Sequence, residues 1–388
     1  MESSSGATYL TKGIRQLLEV VQRPERTAAQ GLDGVVCGKT ELIGFADDRV
    51  QYCGEDIEQL CDRGSFEEVM WLLLNRCSAD PDELADLHAL LDESAVIDGP
   101  IAETIAAVPL QIRPLDLFPL AVSLLSCFDP TPDDRTLAGS TSQFWRVMAQ
   151  LPVLLHVAFG GRLEDGRIAV GDEGEALSWA GRLLQVLRDD NEAPSPIEEH
   201  AMNVVMTCQC LTELRPACFL ARFCGSAVND VVAGLKAASS VYVSQLRNDP
   251  FAWTSARMKQ FKSPDEAESW WHARQPKTMP FGFRPETEDL RATLLRQQGR
   301  ELLGSVPAMV LEACAARLEH LQARQGQFPT TDWAAARVLT LLNVPEDRIS
   351  LAIGIARLVG WAAHTIEQHT SGIPLLPSLR YAEEQEFC

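Results

Sequence analysis

The run Ile349-Ser-Leu-Ala-Ile-Gly-Ile-Ala-Arg-Leu-Val-Gly-Trp-Ala-Ala-His364 decides how this chain folds. It contains no proline and is apolar on nearly every face, which marks a helix buried on all sides. Other helices must then wrap around it. Arg357 sits in the middle of this run. A guanidinium buried without an anion costs on the order of several kcal/mol, so a carboxylate, from the protein or from a ligand, is expected to face it.

The rest of the chain supplies those helices. Four segments place a capping residue three positions before a glutamate: Ser65 with Glu68, Asp80 with Glu83, Ser195 with Glu198, and Ser263 with Glu266. In the last three a proline (Pro81, Pro196, Pro264) opens the helix. The cap oxygen satisfies an orphan N–H, the glutamate reaches back, and proline lacks the N–H that would be wasted there. Apolar positions then recur at helical spacing, as in Phe66, Val69, Met70 and Leu73. Strand signals are scarce. Only Gly34–Tyr52 is short, turn-rich and alternating enough for one or two hairpins. The fold class is therefore all-α with a minor β-hairpin near the N-terminus. Loops are expected at Asp129–Asp134, Gly160–Glu173, Asp189–Ser195 and Gln275–Pro285, and there is no internal repeat.

Composition narrows the function. With 34 basic against 54 acidic residues, the 388-residue chain carries a net charge of −20. That argues against nucleic acid or an anionic membrane as partner. No uninterrupted apolar run approaches the roughly 18 residues of a membrane span. Without a signal-like segment at Met1–Lys12, a cytoplasmic location is expected. The balance is uneven, however. Between Phe251 and Arg300 nine basic residues stand against six acids, which suits either a polyanionic small ligand or a solvated helix face. Eleven cysteines in such a chain read as reduced thiols. Cys208, Cys210, Cys218 and Cys224 match no zinc spacing and sit among apolar residues, so buried structural cysteines are expected and no metal site.

Two blocks at opposite ends of the chain carry a specific resemblance. Gly31-Leu-Asp-Gly-Val-Val36, Thr40, Tyr52-Cys-Gly-Glu-Asp-Ile57 and Ser65-Phe-Glu-Glu-Val-Met-Trp-Leu-Leu-Leu74 form the first. Ala356-Arg-Leu-Val-Gly-Trp-Ala-Ala-His-Thr-Ile-Glu-Gln368 forms the second. Both resemble the citrate synthase family. The resemblance implies a helical homodimer, or a heterodimer with an active paralogue. Residues 1–245 and 346–388 would form the large, dimerising domain and residues 246–345 a small domain closing over a cleft. It further implies an acyl-CoA and a small dicarboxylate as ligands, with no tightly bound cofactor beyond a coenzyme A thioester.

In active members of that family an aspartate removes a methyl proton from acetyl-CoA and one histidine stabilises the enol. Another histidine polarises the ketone of oxaloacetate, and arginines hold the carboxylates. Matched by motif, the base is Asp332, in Pro329-Thr-Thr-Asp-Trp-Ala334, and the carboxylate-binding arginines are Arg291 and Arg357. Arg284 is a further substrate-binding candidate, as are His200 and Asn203 in His200-Ala-Met-Asn-Val-Val-Met-Thr-Cys-Gln209. Asn203 stands where the ketone-polarising histidine belongs. The enol-stabilising histidine position holds Val243, the next histidine position holds Phe283, and the arginine lent across the dimer is Leu376. Losing one oxyanion donor costs about 10² to 10³ in rate. Condensation is therefore expected to be lost, leaving a ligand-binding or regulatory homologue. The alternative is an acyl-CoA-dependent acyltransferase of altered substrate that uses Asp332 as base, with Tyr242 as a replacement donor. Asp332 could also simply cap the helix entered at Trp333.

Overall fold

A computed structural model describes residues 32, 34–46, 49–63, 65–109, 111–168, 177–188, 192–212, 214–228, 230–274, 282–284 and 289–377. Gly31, Met279–Phe281 and the end of the last motif, Ser378–Tyr381, lie outside them. All elements below belong to the unit that begins at Thr40.

The N-terminal strands are β1 (Ile43–Ala46), β2 (Arg49–Tyr52) and β3 (Glu55–Asp56), an antiparallel sheet with Phe45 opposite Val50. Helices follow as α1 (Ile57–Arg63), α2 (Phe66–Asn75), α3 (Pro81–Ser94) and α4 (Gly99–Ala106). Next come α5 (Pro114–Cys127), α6 (Leu137–Ala158), α7 (Trp179–Leu187) and α8 (Pro196–Cys210). The chain continues with α9 (Pro216–Ala227), α10 (Val231–Gln245), α11 (Pro250–Gln260) and α12 (Pro264–Ala273). It ends with α13 (Leu290–Glu301), α14 (Val306–Ala323), α15 (Thr331–Leu341) and α16 (Glu346–Ser371). Two-residue strand pairs are β4 (Leu163–Glu164) with β5 (Arg167–Ile168) and β6 (Phe283–Arg284) with β7 (Phe328–Pro329); all but β7 fall in stretches expected to be loops. They are too short to leave an alternating pattern.

The caps form where the sequence places them. Asp80 and Ser195 make complete capping boxes. Ser65 and Ser263 accept from the third helical N–H, while Glu266 reaches the backbone N–H of Lys262 instead of that of Ser263.

The central helix is α16. It is long and apolar enough to cross a bilayer by composition, yet that stretch is wholly buried, which makes it a core helix. Helices α2, α5, α8, α9, α10, α11 and α15 all pack on it. Close approach needs glycine at two places. A Cβ at Gly360 would run into the Cys210 carbonyl, and one at Gly225 into the Thr365 carbonyl. The same apposition brings the C-terminal end of α8 against the middle of α16. A second, smaller apolar cluster gathers Met258, Phe261, Trp271, Leu318 and Trp333, all within the stretch 246–345.

Candidate active site

The anion demanded by Arg357 is Asp332. The Arg357 Nη2 donates to Asp332 Oδ1 at 2.7 Å and to Gln209 Oε1 at 3.2 Å. Three elements set this geometry. α16 carries the guanidinium, α8 carries Gln209, and Gln209 also donates from Nε2 to the Thr331 carbonyl at 3.0 Å, pinning the start of α15. Asp332 is the second residue of α15. Thr330 accepts from Trp333 N and is the cap, so the aspartate is not needed for that task and its carboxylate is left for the arginines.

A second guanidinium reaches the same carboxylate, with Arg215 Nη1 3.4 Å from Asp332 Oδ2. Arg215 occupies the N-cap of α9 and makes no side-chain cap hydrogen bond. Burial alone would raise the Asp332 carboxyl; the guanidiniums of Arg357, then Arg215 and Arg284, outweigh it and hold the group below the usual carboxylate range. The Arg357 guanidinium also lies 5.1 Å from the Tyr242 ring centroid, and its Nε is buried with no partner.

Asp332, Arg357, Arg215 and Tyr242 line a cavity of about 160 Å³, together with Thr212, Cys218, Gln245, Phe251 and Trp361. Among the described residues no histidine lines it. Its charges are one carboxylate against two guanidiniums, a net positive pocket with an unsatisfied buried donor. Such a pocket attracts an anion.

The other candidates lie elsewhere or are already engaged. Arg291 spends its fork on Asp289, at 3.0 Å from Nε and 2.8 Å from Nη2, and donates from Nη1 to the Leu211 carbonyl at 2.8 Å. Asp289 in turn accepts from Thr331 Oγ1 at 3.1 Å. Arg291 thus braces the turn before Asp332 and is not part of the cavity wall. Arg284 is half-buried on β6 and acts on Asp332 through its charge. Asn203 does not meet Asp332. Its Oδ1 accepts from Phe66 N at 3.0 Å and its Nδ2 donates to the Glu199 carbonyl at 3.1 Å. It lines a different cavity, of about 430 Å³, with His200, His88, Glu67, Glu199 and Arg182. Val243 is buried beside Tyr242 but outside the cavity wall. Tyr242 is committed, donating to the Ser350 carbonyl at 2.9 Å, which removes it as a spare donor. Phe283 packs against Trp333, with centroids 4.8 Å apart and the ring planes tilted by 56°, and Leu376 is exposed near the end of the described chain. Among the described residues the cysteines are free thiols, and Cys218 is a buried member of the cavity wall.

The sequence does not single out Gln209, Thr212 or Arg215. One signal was available, because arginine is a poor N-cap, and it stands directly before Pro216 where Ser, Thr, Asp or Asn would serve.

Comparison with known proteins fits this arrangement of elements. The model of the citrate synthase C-terminal domain matches residues 31–376. The chain belongs to the citrate synthase family. "Citrate synthase 2" of Bacillus subtilis (strain 168) is 27% identical over 93% of this chain and 98% of its own. "Citrate/2-methylcitrate synthase" of the same organism is 22% identical over 90% of this chain and 95% of its own. In three dimensions the chain is similar to the citrate synthase of Thermoplasma acidophilum, solved as a ternary complex with carboxymethyl coenzyme A and oxaloacetate. The TM-score is 0.77, with 18% identity, 93% of this chain and 100% of that one covered. The mostly helical architecture is that of the citrate synthase fold.

Proposed function

We propose that this citrate synthase family member binds a small carboxylate-bearing ligand in the Asp332–Arg357 cavity and does not complete the family's condensation. The observation that carries this reading is the make-up of the cavity wall. Two guanidiniums and one carboxylate converge there, and no histidine joins them among the described residues. A methyl proton beside a thioester is only weakly acidic. Its removal needs a hydrogen bond to the enolate oxygen as the charge develops, and condensation needs a second one to the ketone. Besides the engaged Tyr242 hydroxyl, the neutral donors in the wall are Thr212, Cys218 and Gln245, with Thr212 Oγ1 3.4 Å from Cys218 Sγ, and all are far weaker donors than an imidazolium.

The acyl-CoA-dependent transferase with altered substrate is the second reading, and one observation favours it. Asp332 opens on the cavity, and its contact with Arg215 is long and partly exposed, so a ligand carboxylate can draw Arg215 away and free a carboxylate oxygen. The two readings part in one experiment. The purified protein is offered acetyl-, propionyl- and longer acyl-CoAs with and without 2-oxo acids, and free thiol is followed. The first reading predicts no 2-oxo-acid-dependent thiol, with dicarboxylates still raising the melting temperature. Thiol release that needs the 2-oxo acid and vanishes in Asp332→Asn establishes the second.

A further inference from the structure

Among the described cysteines, one shares a cavity with unsatisfied positive charge. Cys218 is the third residue of α9, three after Arg215, the spacing that brings a cap and the third helical residue together. Both residues line the cavity that holds Arg357 and Asp332. The Cys218 Sγ lies 3.4 Å from Oγ1 of Thr212, another wall residue. The thiol is 2% exposed, so a reagent from solvent meets it by way of the cavity. The other thiols stand apart from this wall. Cys77 and Cys127 are exposed, and Cys61 and Cys208 are buried against one another with their sulfurs 3.9 Å apart.

What surrounds the thiol favours a negatively charged guest. Arg357 is 7% exposed, and its buried Nε has no partner. Arg215 holds Asp332 only at 3.4 Å. The N-terminus of α9, the positive end of the helix dipole, receives no side-chain cap from Arg215. Ala217, Phe251 and Trp361 close other parts of the wall with apolar surface, and a wall of low polarity strengthens the field of these charges. In a cavity of about 160 Å³, a small acid held by the guanidiniums also meets the rest of the wall.

We propose that Cys218 is a site of covalent modification by α,β-unsaturated carboxylates, directed to it by Arg215 and Arg357. This rests on the reading of the Asp332–Arg357 cavity as an anion site and adds a chemical step to it. The guanidiniums hold the carboxylate, and the Cys218 thiolate, the attacking form of a thiol, adds to the β-carbon. A sulfur–carbon bond forms as the π pair of the double bond moves to the α-carbon. The α-carbon takes a proton from solvent, replacing the one the thiol gave up. Nothing leaves, and no oxidant is needed. The adduct keeps a tethered carboxylate beside Arg357 and closes the cavity to free acids.

Two probes of equal reach and different charge test the direction. Iodoacetate and iodoacetamide alkylate sulfur by the same displacement, in which the carbon–iodine bond breaks and the thiol proton goes to the buffer. The full chain is treated with each, and alkylation of Cys218, Cys77 and Cys127 is followed by peptide mapping. A cleft of one charge sign concentrates counter-ions about 10- to 1,000-fold, so the iodoacetate-to-iodoacetamide rate ratio should be at least about tenfold higher at Cys218 than at the two exposed cysteines. Succinate should slow iodoacetate at Cys218 alone. Arg215→Gln, at a side chain 40% exposed, should bring the Cys218 ratio down towards that of Cys77 and Cys127. Fumarate should add the mass of one acid at Cys218 before either exposed cysteine, and add none there in Cys218→Ser. The proposal is overturned if the Cys218 ratio does not exceed those of Cys77 and Cys127, or if fumarate modifies these first. The melting shift with succinate separates this from the binding reading. A shift without directed modification of Cys218 removes the proposal and leaves the anion site, whereas the absence of both removes both.

Discussion

The two ends of helix α8 face two cavities of opposite character. Near its N-terminal end, His200 and Asn203 line a space in which the acids are bound by the protein itself. Glu67 accepts from Trp179 N at 2.7 Å and Glu199 from Ser178 N at 2.6 Å. These carboxylates, Glu67 buried and Glu199 half-buried, sit on the N-terminus of α7, where the helix dipole favours negative charge, so both are satisfied. Beyond its C-terminal end, the chain turns into Thr212 and Arg215 and meets Asp332 and Arg357, where the positive charge is in excess and a buried Nε lacks a partner. At one end the acids are already met by backbone N–H groups; at the other a buried donor is left without a partner. The proposed function rests on that contrast, with a bound anion completing the second end.

Substitutions can break that contrast. The largest effect is expected for Arg357→Met. It leaves Asp332 buried with only the weak, partly exposed Arg215 contact, and losing one partner of a buried pair costs about 3–5 kcal/mol. Denaturant unfolding measures it, and a cost under about 1 kcal/mol would mean that Asp332 is already solvated. Next comes the other end of α8. Asn203→Ala orphans the Phe66 N–H, for a loss of about 1–3 kcal/mol. The account expects dicarboxylate affinity to stay unchanged in a titration, and a matching loss of affinity would return Asn203 to the ligand site.

A pH effect follows from Asp332, whose folded pKa is held below the usual carboxylate range. A depressed folded pKa contributes stability that is fully present above the unfolded value of about 4, and this stability is lost as pH falls through the folded pKa. Acid unfolding curves of Asp332→Asn should therefore be flatter below about pH 4 than those of the parent. Equal slopes would place the acid sensitivity elsewhere. The smallest stability effect belongs to Arg215→Ala, where the side chain is 40% exposed and its carboxylate contact is long. Pairs of this kind contribute about 0–1 kcal/mol. Yet the same change should weaken dicarboxylate binding about tenfold or more, because it removes half of the cavity's positive charge. Stability lost without affinity lost would make Arg215 structural.

Much of this could be read from the chain. The all-round apolar run containing Arg357 announced both the core helix and its need for an anion, and Asp80 and Ser195 marked their helix starts completely. The register of the site along α8 could not be read. Ala201–Cys210 is buried at every position and carries no periodic mark of which residues face α16. His200, named by the motif, lies at the other end of the helix and lines the other cavity. The Asp332–Arg215 contact joins residues far apart in sequence, and nothing local to either announces it. The clue that did exist, an arginine in a capping position before Pro216, breaks a local rule, and such breaks are where function is to be sought.

The most direct test of the account is the reaction itself. Acetyl-CoA and oxaloacetate are mixed with the wild-type chain and with Asp332→Asn, thiol release is followed, and oxaloacetate binding is measured by the melting shift in parallel. The account predicts a melting shift with the wild-type chain and no oxaloacetate-dependent thiol from either protein. Oxaloacetate-dependent thiol release by the wild-type chain, abolished in Asp332→Asn, would contradict it.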